Sequence, residues 1–332
     1  GLEDGLADTT TWGEMAGRID DLEIPEGATP DQAFVQILDP ATGTGTFLVD
    51  VIELIHKTMT SQWHAEGHSN KKLEKLWNDY VPDHLLPRLH GYELMMAPYA
   101  IAHMKIGLKL YETGYRFESE ERARVYLTNA LEPAQDFSGT LAFAIPALEH
   151  EAEAVNAIKR DHRFTVVIGN PPYSTLSQNM GEWIKDLVAA FRRIDGVPIV
   201  EKGKRNHLQD DYVKFMRLAL WHEELSGCGI CGLITNHGYI YSPTFRAMRH
   251  YISKAVTLGR FLDLNGNAKR DDAKAHPGDE NVFDIQQGVA IAFLCNSPKA
   301  KTSKLANHSL FGSRATKYRI LSEEPPRLSY KP

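Results

Sequence analysis

Along the chain, short apolar runs alternate with longer stretches whose apolar residues recur every three to four positions. Phe34–Leu38 (FVQIL) reads as a buried strand. The stretch from Gly45 (GTFLVDVIELIHKTM) reads as a helix with Phe47, Leu48, Val51, Ile52, Leu54 and Ile55 gathered on one side. Leu89–Leu94 is a second strand, and the helical run after it ends at Gly114, placed to act as a C′ glycine. Arg124–Leu131 is a third strand. A fourth runs through FTVVIG and is stopped by Pro171 and Pro172. An amphipathic helix is expected over DDYVKFMRLALWHEEL, then a buried strand over GICGLITN, then a helix opened by Ser242 as N-cap and Pro243 at N1. LGRFLDL and GVAIAFLCN are two further strands. Strand and helix in repeated alternation predict an α/β fold, a Rossmann-like doubly wound and mostly parallel sheet.

Three stretches break the alternation. Residues 60–86 are polar with one short helical patch and read as an insertion. Residues 174–210 read as a second insertion or loop region with a helix near Trp183–Ile194. Asn265–Asn281 reads as a long polar loop. The tail after Ser297 is basic, contains proline and shows no strong pattern.

In open sheets of this kind ligands bind beyond the carboxyl ends of the strands. The turns carrying Asp39–Thr46, Glu93 and Asn170–Tyr173 all fall at such ends. The 332 residues carry a net charge of −6, which argues against a protein that coats nucleic acid by charge alone but leaves room for a small contact site. No apolar run reaches eighteen residues, so no membrane span is expected. The acidic, polar start is unlike a signal peptide. Three cysteines do not make a disulfide framework, which favours a reducing, cytoplasmic setting. Cys228 and Cys231 form a lone CxxC in or beside a strand, better read as buried thiols than as a metal site. His64, His68, His84 and His90 are dispersed, and no metal ligand set is expected. The basic loop Glu201–His207 reads equally as a DNA-backbone contact and as a solvated loop. Lys71–Lys75 reads as a helix surface.

The segment DPATGTGTFL, Asp39–Leu48, sets two glycines and three threonines between strand and helix. Glycine at 43 and 45 removes two β-carbons, so the backbone can approach a ligand closely. By itself the turn fits a ligand-free βα connection equally well. It lacks the lysine of a phosphate-binding P-loop, and Leu48 stands where the dinucleotide fingerprint has its third glycine. Asp39 would repel a pyrophosphate but suits an ammonium or a sulfonium. Glu93, one strand on, is placed to accept two ribose hydroxyls. Together these features suggest S-adenosyl-L-methionine.

Asn170-Pro171-Pro172-Tyr173 follows its apolar strand directly. A double proline alone makes a stiff turn, but this order has a chemical logic. An exocyclic amine conjugated to an aromatic ring is a poor nucleophile. Two acceptors around the nitrogen, the Asn170 amide oxygen and the Pro171 carbonyl, favour rehybridisation as a methyl arrives. Tyr173 offers a face on which an extruded base can stack. Alignment of the reactants supplies much of the rate, with no metal and no covalent intermediate.

DPATGTGTFL, then GYEL, then NPPY, in this order, resembles the γ-class of amino-methylating DNA methyltransferases, whose members include type I, type IIG and type ISP restriction–modification enzymes. DDYVKFMRLA, LITNHGYIYSPTFRAMR and DENVFDIQQGVAIAF are most similar to the fused helicase–methyltransferase polypeptides of the type ISP kind. The resemblance runs from about Ile37 to Asn296. It implies methylation of the N6 amine of a flipped adenine in double-stranded DNA, with S-adenosyl-L-methionine as cofactor. Asp39, Thr42, Gly43 and Gly45 match the cofactor loop, and Glu93 matches the ribose-binding acid. Asn129 falls where the family contacts the cofactor's adenine ring, often through Asp, and fits an ordinary turn equally well. Asn170, Pro171, Pro172 and Tyr173 match the catalytic loop. Phe283 lies in a region resembling the support for the flipped base, or is plain core.

Residues 1–38 lack the short upstream motif of the family, and few residues follow Asn296. The expected organisation is therefore a lead-in over 1–34, a catalytic domain over 35–296 and a tail over 297–332. The tail would lead toward a target-recognition region, with a linked helicase or nuclease elsewhere on the polypeptide. Three other readings stand beside this one: an NPPY methyltransferase acting on protein glutamine or on RNA guanine N2, a non-catalytic DNA-binding module of the same fold, and a nicotinamide dehydrogenase, which Asp39 and the glycine pattern fit poorly. Adenine N6 and cytosine N4 satisfy the same geometry and are separated only by the resemblance.

Overall fold

The computed structural model describes residues 2, 4–134, 146–173, 177–199, 207–267, 276–300, 302–323 and 330–331. The chain divides into two compact units, Gly1–Gly169 and Asn170–Pro332.

The first unit contains α1 (Trp12–Arg18), β1 (Ile37–Asp39), α2 (Thr46–Ala65), α3 (Asn70–Tyr80), β2 (Leu89–Glu93), α4 (Met96–Glu112), β3 (Arg124–Leu127), α5 (Pro146–Asp161) and β4 (Val166–Gly169). Its strands lie side by side in the order β4-β1-β2-β3, and every pair is parallel. All three residues of β1 are buried, as a central parallel strand requires. The expected strand over Phe34–Leu38 thus sits nearer the glycine turn, with its ladder starting at Ile37. Ile37 pairs with both Leu89 and Val166, and Asp39 with Gly91, so β2 runs two residues past the end of β1.

α2 presents Leu48, Val51, Ile52, Ile55, Met59 and Trp63 to the core. Leu54, assigned to that face from the sequence, is 50% exposed. Its spacing from Val51 satisfies the pattern, but the helix runs on for 20 residues and the buried stripe follows Met59 and Trp63 instead.

Residues 60–86 are not a polar insertion. They finish α2, form α3 and return through a π-helical turn (Val81–Leu85) and a 3-10 turn (Leu86–Arg88) to β2. Leu73, Trp77, Tyr80, Val81 and Leu85 join the same core as β1 and β2. Trp77 stacks on Tyr80 and donates from its indole N–H to Thr113 Oγ1 at 3.1 Å. The solvent face of α3 carries so many charges that it hid a three-residue apolar stripe. The segment before β1 is fastened to this layer as well: the Tyr80 hydroxyl donates to the carbonyl of Ala7, and the buried Arg88 guanidinium donates to Asp8 O and Tyr80 Oη. α5 had no counterpart in the sequence reading.

The second unit contains α6 (Glu182–Ala189), the hairpin β5 (Arg193–Ile194) and β6 (Val197–Pro198), α7 (Asp211–Ser226), β7 (Gly229–Asn236), α8 (Gly238–Tyr241), α9 (Arg246–Ala255), β8 (Leu258–Asn265), β9 (Val289–Asn296), β10 (Lys304–Ser309) and α10 (Arg314–Leu321). The strand order is β10-β8-β9-β7. β10 runs parallel to β8, and β9 is antiparallel to both its neighbours.

α7 is not amphipathic, since nearly its whole circumference is buried. Several of its polar groups are satisfied inside, while both carboxylate oxygens of the buried Glu223 have no partner. Lys214 donates to Ser177 Oγ and Asn179 O, and Arg217 to Leu187 O and both oxygens of Glu224. The supposedly patternless tail forms β10, an added strand in full register with β8, and then α10. Much of the basic loop, 201–206, and of the polar loop, 268–275, lies outside the described residues. Among the described residues no helix is long and apolar enough to cross a membrane.

Placing α3 in the core has a measurable consequence. Trp77 is 1% exposed, so Trp77→Ala should cost about 3–5 kcal/mol in urea unfolding followed by circular dichroism. A polar insertion would lose close to nothing.

Candidate functional site

In the first unit the carboxyl ends of β1 and β2 are bound together by their own turns. Gly43 and Gly45 take φ of +55° and +78°, a region that favours glycine. Gly45 caps α2 and lies so close to α4 that a β-carbon there would stand 3.2 Å from Ala102 Cα and Cβ. Thr42 donates its amide to Tyr92 O at 3.0 Å and its hydroxyl to Asp39 O at 2.9 Å. Gly91, paired with Asp39 in the ladder, lies directly beneath Thr42. A β-carbon at 91 would come within 2.5 Å of Thr42 Oγ1. The sequence reading passed over Gly91, although a glycine inside a strand is itself a signal of close approach.

Glu93 joins the two turns. Its Oε2 accepts the Gly43 amide at 2.8 Å and its Oε1 the Met95 amide at 2.8 Å. An ionised carboxylate has about four acceptor positions, so two remain after these bonds. Asp39 is 0% exposed. Its Oδ1 accepts the Ala41 amide at 3.1 Å, while its Oδ2 has no partner. Burial pushes this carboxyl up to about 7, the Ala41 bond opposes the shift, and the nearby Glu93 adds to it. Gly169, the last residue of β4, abuts the same carboxylate: a β-carbon there would sit 2.8 Å from Asp39 Oδ1.

Asn129 lies one turn further along the edge. Thr128 donates its amide to Glu93 O at 2.8 Å, which ties the β3 turn to the β2 turn. The Asn129 side chain accepts the Leu131 amide at 3.0 Å and donates to Glu132 at 3.1 Å, while the Lys159 ammonium donates to Asn129 O at 2.7 Å. The expected cofactor residues Asp39, Thr42, Gly43, Gly45, Glu93 and Asn129 therefore form one connected rim, with Asn129 engaged as a turn residue.

In the second unit, Asn170 is exposed, Pro171 buried, Pro172 exposed and Tyr173 half-buried. The Tyr173 hydroxyl donates to Asn170 Oδ1 at 2.8 Å, which fixes the amide's orientation and leaves the oxygen one further acceptor position. Burial holds the Tyr173 phenol above its ordinary value, so it stays a donor at neutral pH. The Tyr173 ring packs against a cluster of Leu262, Leu264, Val282, Val289 and Leu310, and Phe283 packs against the same cluster. Thus Tyr173 and Phe283, expected from the resemblance to serve the catalytic loop and the base support, share one apolar floor.

Near this floor is a pair that the sequence reading missed. His237, just after β7, meets Asp263 of β8, with Nδ1 2.9 Å from Oδ1. Both side chains are buried, and Gly288 leaves the room His237 occupies: a β-carbon there would fall 2.3 Å from Nε2. Among the described residues no cluster of His, Cys, Asp and Glu could hold a metal ion, and Cys228, Cys231 and Cys295 are free thiols. Burial raises the Cys228 thiol to about 12, as suits an inert buried cysteine just before β7.

Comparison with known proteins gives these features a family. No curated protein sequence matches the chain. Among solved structures, 97% of the chain superposes on a DrdV–DNA complex determined by cryo-electron microscopy, at 25% identity with a TM-score of 0.67. For the ATP-dependent type ISP restriction–modification enzyme LlaBIII bound to DNA, the values are 96%, 21% and 0.68. For a nuclease-deletion mutant of the type ISP enzyme LlaGI with a DNA substrate mimic they are 96%, 20% and 0.66. The likeness covers both units and shows the Rossmann-like fold expected from the strand–helix alternation. The chain spans 29%, 20% and 25% of those three chains. The model of the Eco57I restriction-modification methylase family matches residues 90–269, from the second residue of β2 through NPPY to just beyond β8. With more than half of its length matched, this chain belongs to the Eco57I restriction-modification methylase family.

Proposed function

We propose that the chain is the methyltransferase part of a restriction–modification enzyme, and that it methylates the N6 amine of an adenine flipped out of double-stranded DNA. The observation that carries this reading is Asn170, whose amide oxygen is oriented by the Tyr173 hydroxyl and still has an acceptor position free. Family membership supports methyl transfer, and the three similar structures each contain DNA. Adenine rather than cytosine rests on the likeness to the γ-class. A linked helicase, nuclease and target-recognition region belong to the same proposal, in keeping with the greater length of those solved chains.

The first unit fits S-adenosyl-L-methionine. Asp39 offers a buried carboxylate oxygen without a partner, suited to a cation. Gly43 and Gly45 bring bare backbone to the turn, and Glu93 has acceptor positions left for hydroxyls. When bound, this cofactor supplies an electrophilic methyl group. The chain's own residues prepare the acceptor. Asn170 Oδ1 and the Pro171 carbonyl take the two N–H groups of a conjugated amine and draw its lone pair out of the ring. The prolines hold that carbonyl at fixed backbone angles. Tyr173 keeps the amide oxygen turned in place, and the base stacks on the Tyr173 ring, which shares an apolar floor with Phe283.

Transfer of tritium from labelled S-adenosyl-L-methionine to duplex DNA tests this reading, with release factor and ribosomes as competing acceptors. Label should enter DNA and be recovered as N6-methyladenine after hydrolysis. Recovery on protein or rRNA instead overturns the assignment. Asn170→Ala should slow transfer by about a hundredfold or more, with the cofactor dissociation constant changed less than about twofold.

Asp39 makes cofactor binding pH-dependent. Its carboxyl is raised to about 7, so much of it is protonated just below neutrality. A cation beside it favours the ionised form, so binding must expel that proton at low pH. Affinity should rise with pH, by up to about tenfold per unit, and level off above about pH 7. Calorimetry in buffers of different ionisation enthalpy should show proton release at pH 6 and little at pH 8, and Asp39→Asn should abolish the difference.

A further inference from the structure

Four consecutive carbonyls, those of residues 280–283, lie in a segment with no strand partner, and each receives a side-chain donor from one helix, α10. Lys317 Nζ donates to Glu280 O at 2.6 Å. Arg314 Nε donates to Asn281 O at 2.8 Å, and its Nη2 to Phe283 O at 3.2 Å. The Tyr318 hydroxyl donates to Val282 O at 2.6 Å. Positions 314, 317, 318 and 321 share one face of the helix, and Leu321 packs on the floor that also carries Tyr173 and Phe283.

Lys317 is 0% exposed. Its remaining protons go to Leu264 O at 2.6 Å and Asp279 Oδ1 at 2.7 Å, so all three are satisfied. Asp279 in turn accepts the amides of Gly266 at 2.7 Å and Gly312 at 2.9 Å. Arg314 also pairs with Asp284 at 2.7 Å. An isolated buried ammonium is costly, and this one is kept because it fixes three backbone segments at one point.

We infer that α10 is a positioning clamp for the segment that carries Phe283, with Arg314, Lys317 and Tyr318 as positioning residues for the methyl-accepting base. The inference rests on the proposed function. It extends that reading to a helix beyond both the family match, which stops at residue 269, and the sequence resemblance, which stops at Asn296. Phe283 itself is half-buried and held from both sides: its amide donates to Asn281 Oδ1 at 2.9 Å while Arg314 holds its carbonyl. Displacement of the Phe283 backbone, and with it the root of its side chain, therefore requires α10 to let go.

Arg314 and Tyr318 lie at the surface of the clamp, so the double variant R314M/Y318F leaves Lys317 and the core intact. Amide hydrogen exchange of the full chain should quicken about tenfold or more across 280–284 and stay unchanged in 89–94. With duplex DNA and S-adenosyl-L-methionine, kcat should fall about tenfold at an unchanged cofactor KM. Unchanged exchange at 280–284 overturns the clamp. Faster exchange with wild-type kcat overturns its role in positioning. A wild-type chain that binds cofactor yet methylates no DNA overturns the function proposed above, while the exchange result still decides whether the clamp exists.

Discussion

The first unit turns on one carboxylate. Glu93 closes β2 by taking the amide of Met95 and reaches across to take the amide of Gly43. Two loops that share no ladder bond beyond Asp39 and Gly91 are thereby held at a fixed spacing. The bond to Gly43 demands a backbone N–H that points out of the turn, which the left-handed φ of +55° provides. It also demands that Glu93 stand beyond the end of β1, and the Asp39–Gly91 register carries β2 two residues past it. Gly91 contributes by omission, since any larger residue would lift Thr42 and carry the Gly43 amide away from Glu93.

Asp39 is the counterpart of this arrangement. A carboxylate sealed in the core with one oxygen unpaired is a poor choice for stability alone: ionising it there is unfavourable, as its raised pKa records. The surrounding glycines make the choice intelligible. Gly169 gives up its β-carbon to the carboxylate, and Asn170 is the next residue along the chain. The same acid thus sets the steric limit at the last residue of β4.

What the sequence revealed, and what it did not, follows from the kind of interaction in each place. Parallel strands buried on both faces announce themselves as apolar runs, and turns with left-handed glycines announce themselves by residue type. The four strands of the first unit and the glycine turn were legible on that basis, and so was the position of Glu93 and NPPY at strand ends. α3 was not, because its few buried side chains, Leu73, Trp77 and Tyr80, are outnumbered by lysine, glutamate and aspartate facing solvent. α7 was recognised as a helix but misjudged as half-exposed. Its buried Lys214 and Arg217 look like surface residues until their carbonyl and carboxylate partners are known. The His237–Asp263 pair was invisible because its members are 26 residues apart and meet only through the antiparallel insertion of β9 between β7 and β8.

α10 is the extreme case, and the reason is instructive. Hydrophobic periodicity detects helices that bury apolar faces, whereas the inward face of α10 is Arg314, Lys317 and Tyr318, with Leu321 as its apolar member. Its task is to supply donors to carbonyls that no strand can reach. A β-ladder would have satisfied residues 280–283 equally well, but it would have imposed an alternation that points successive side chains to opposite faces. Side-chain donors impose no such period. They allow Val282 to be buried in the floor while Phe283, the next residue, packs on the same cluster. The cost is that the geometry depends on three long side chains staying ordered, and the complete satisfaction of Lys317 by Asp279, Glu280 and Leu264 is what keeps the central one in place.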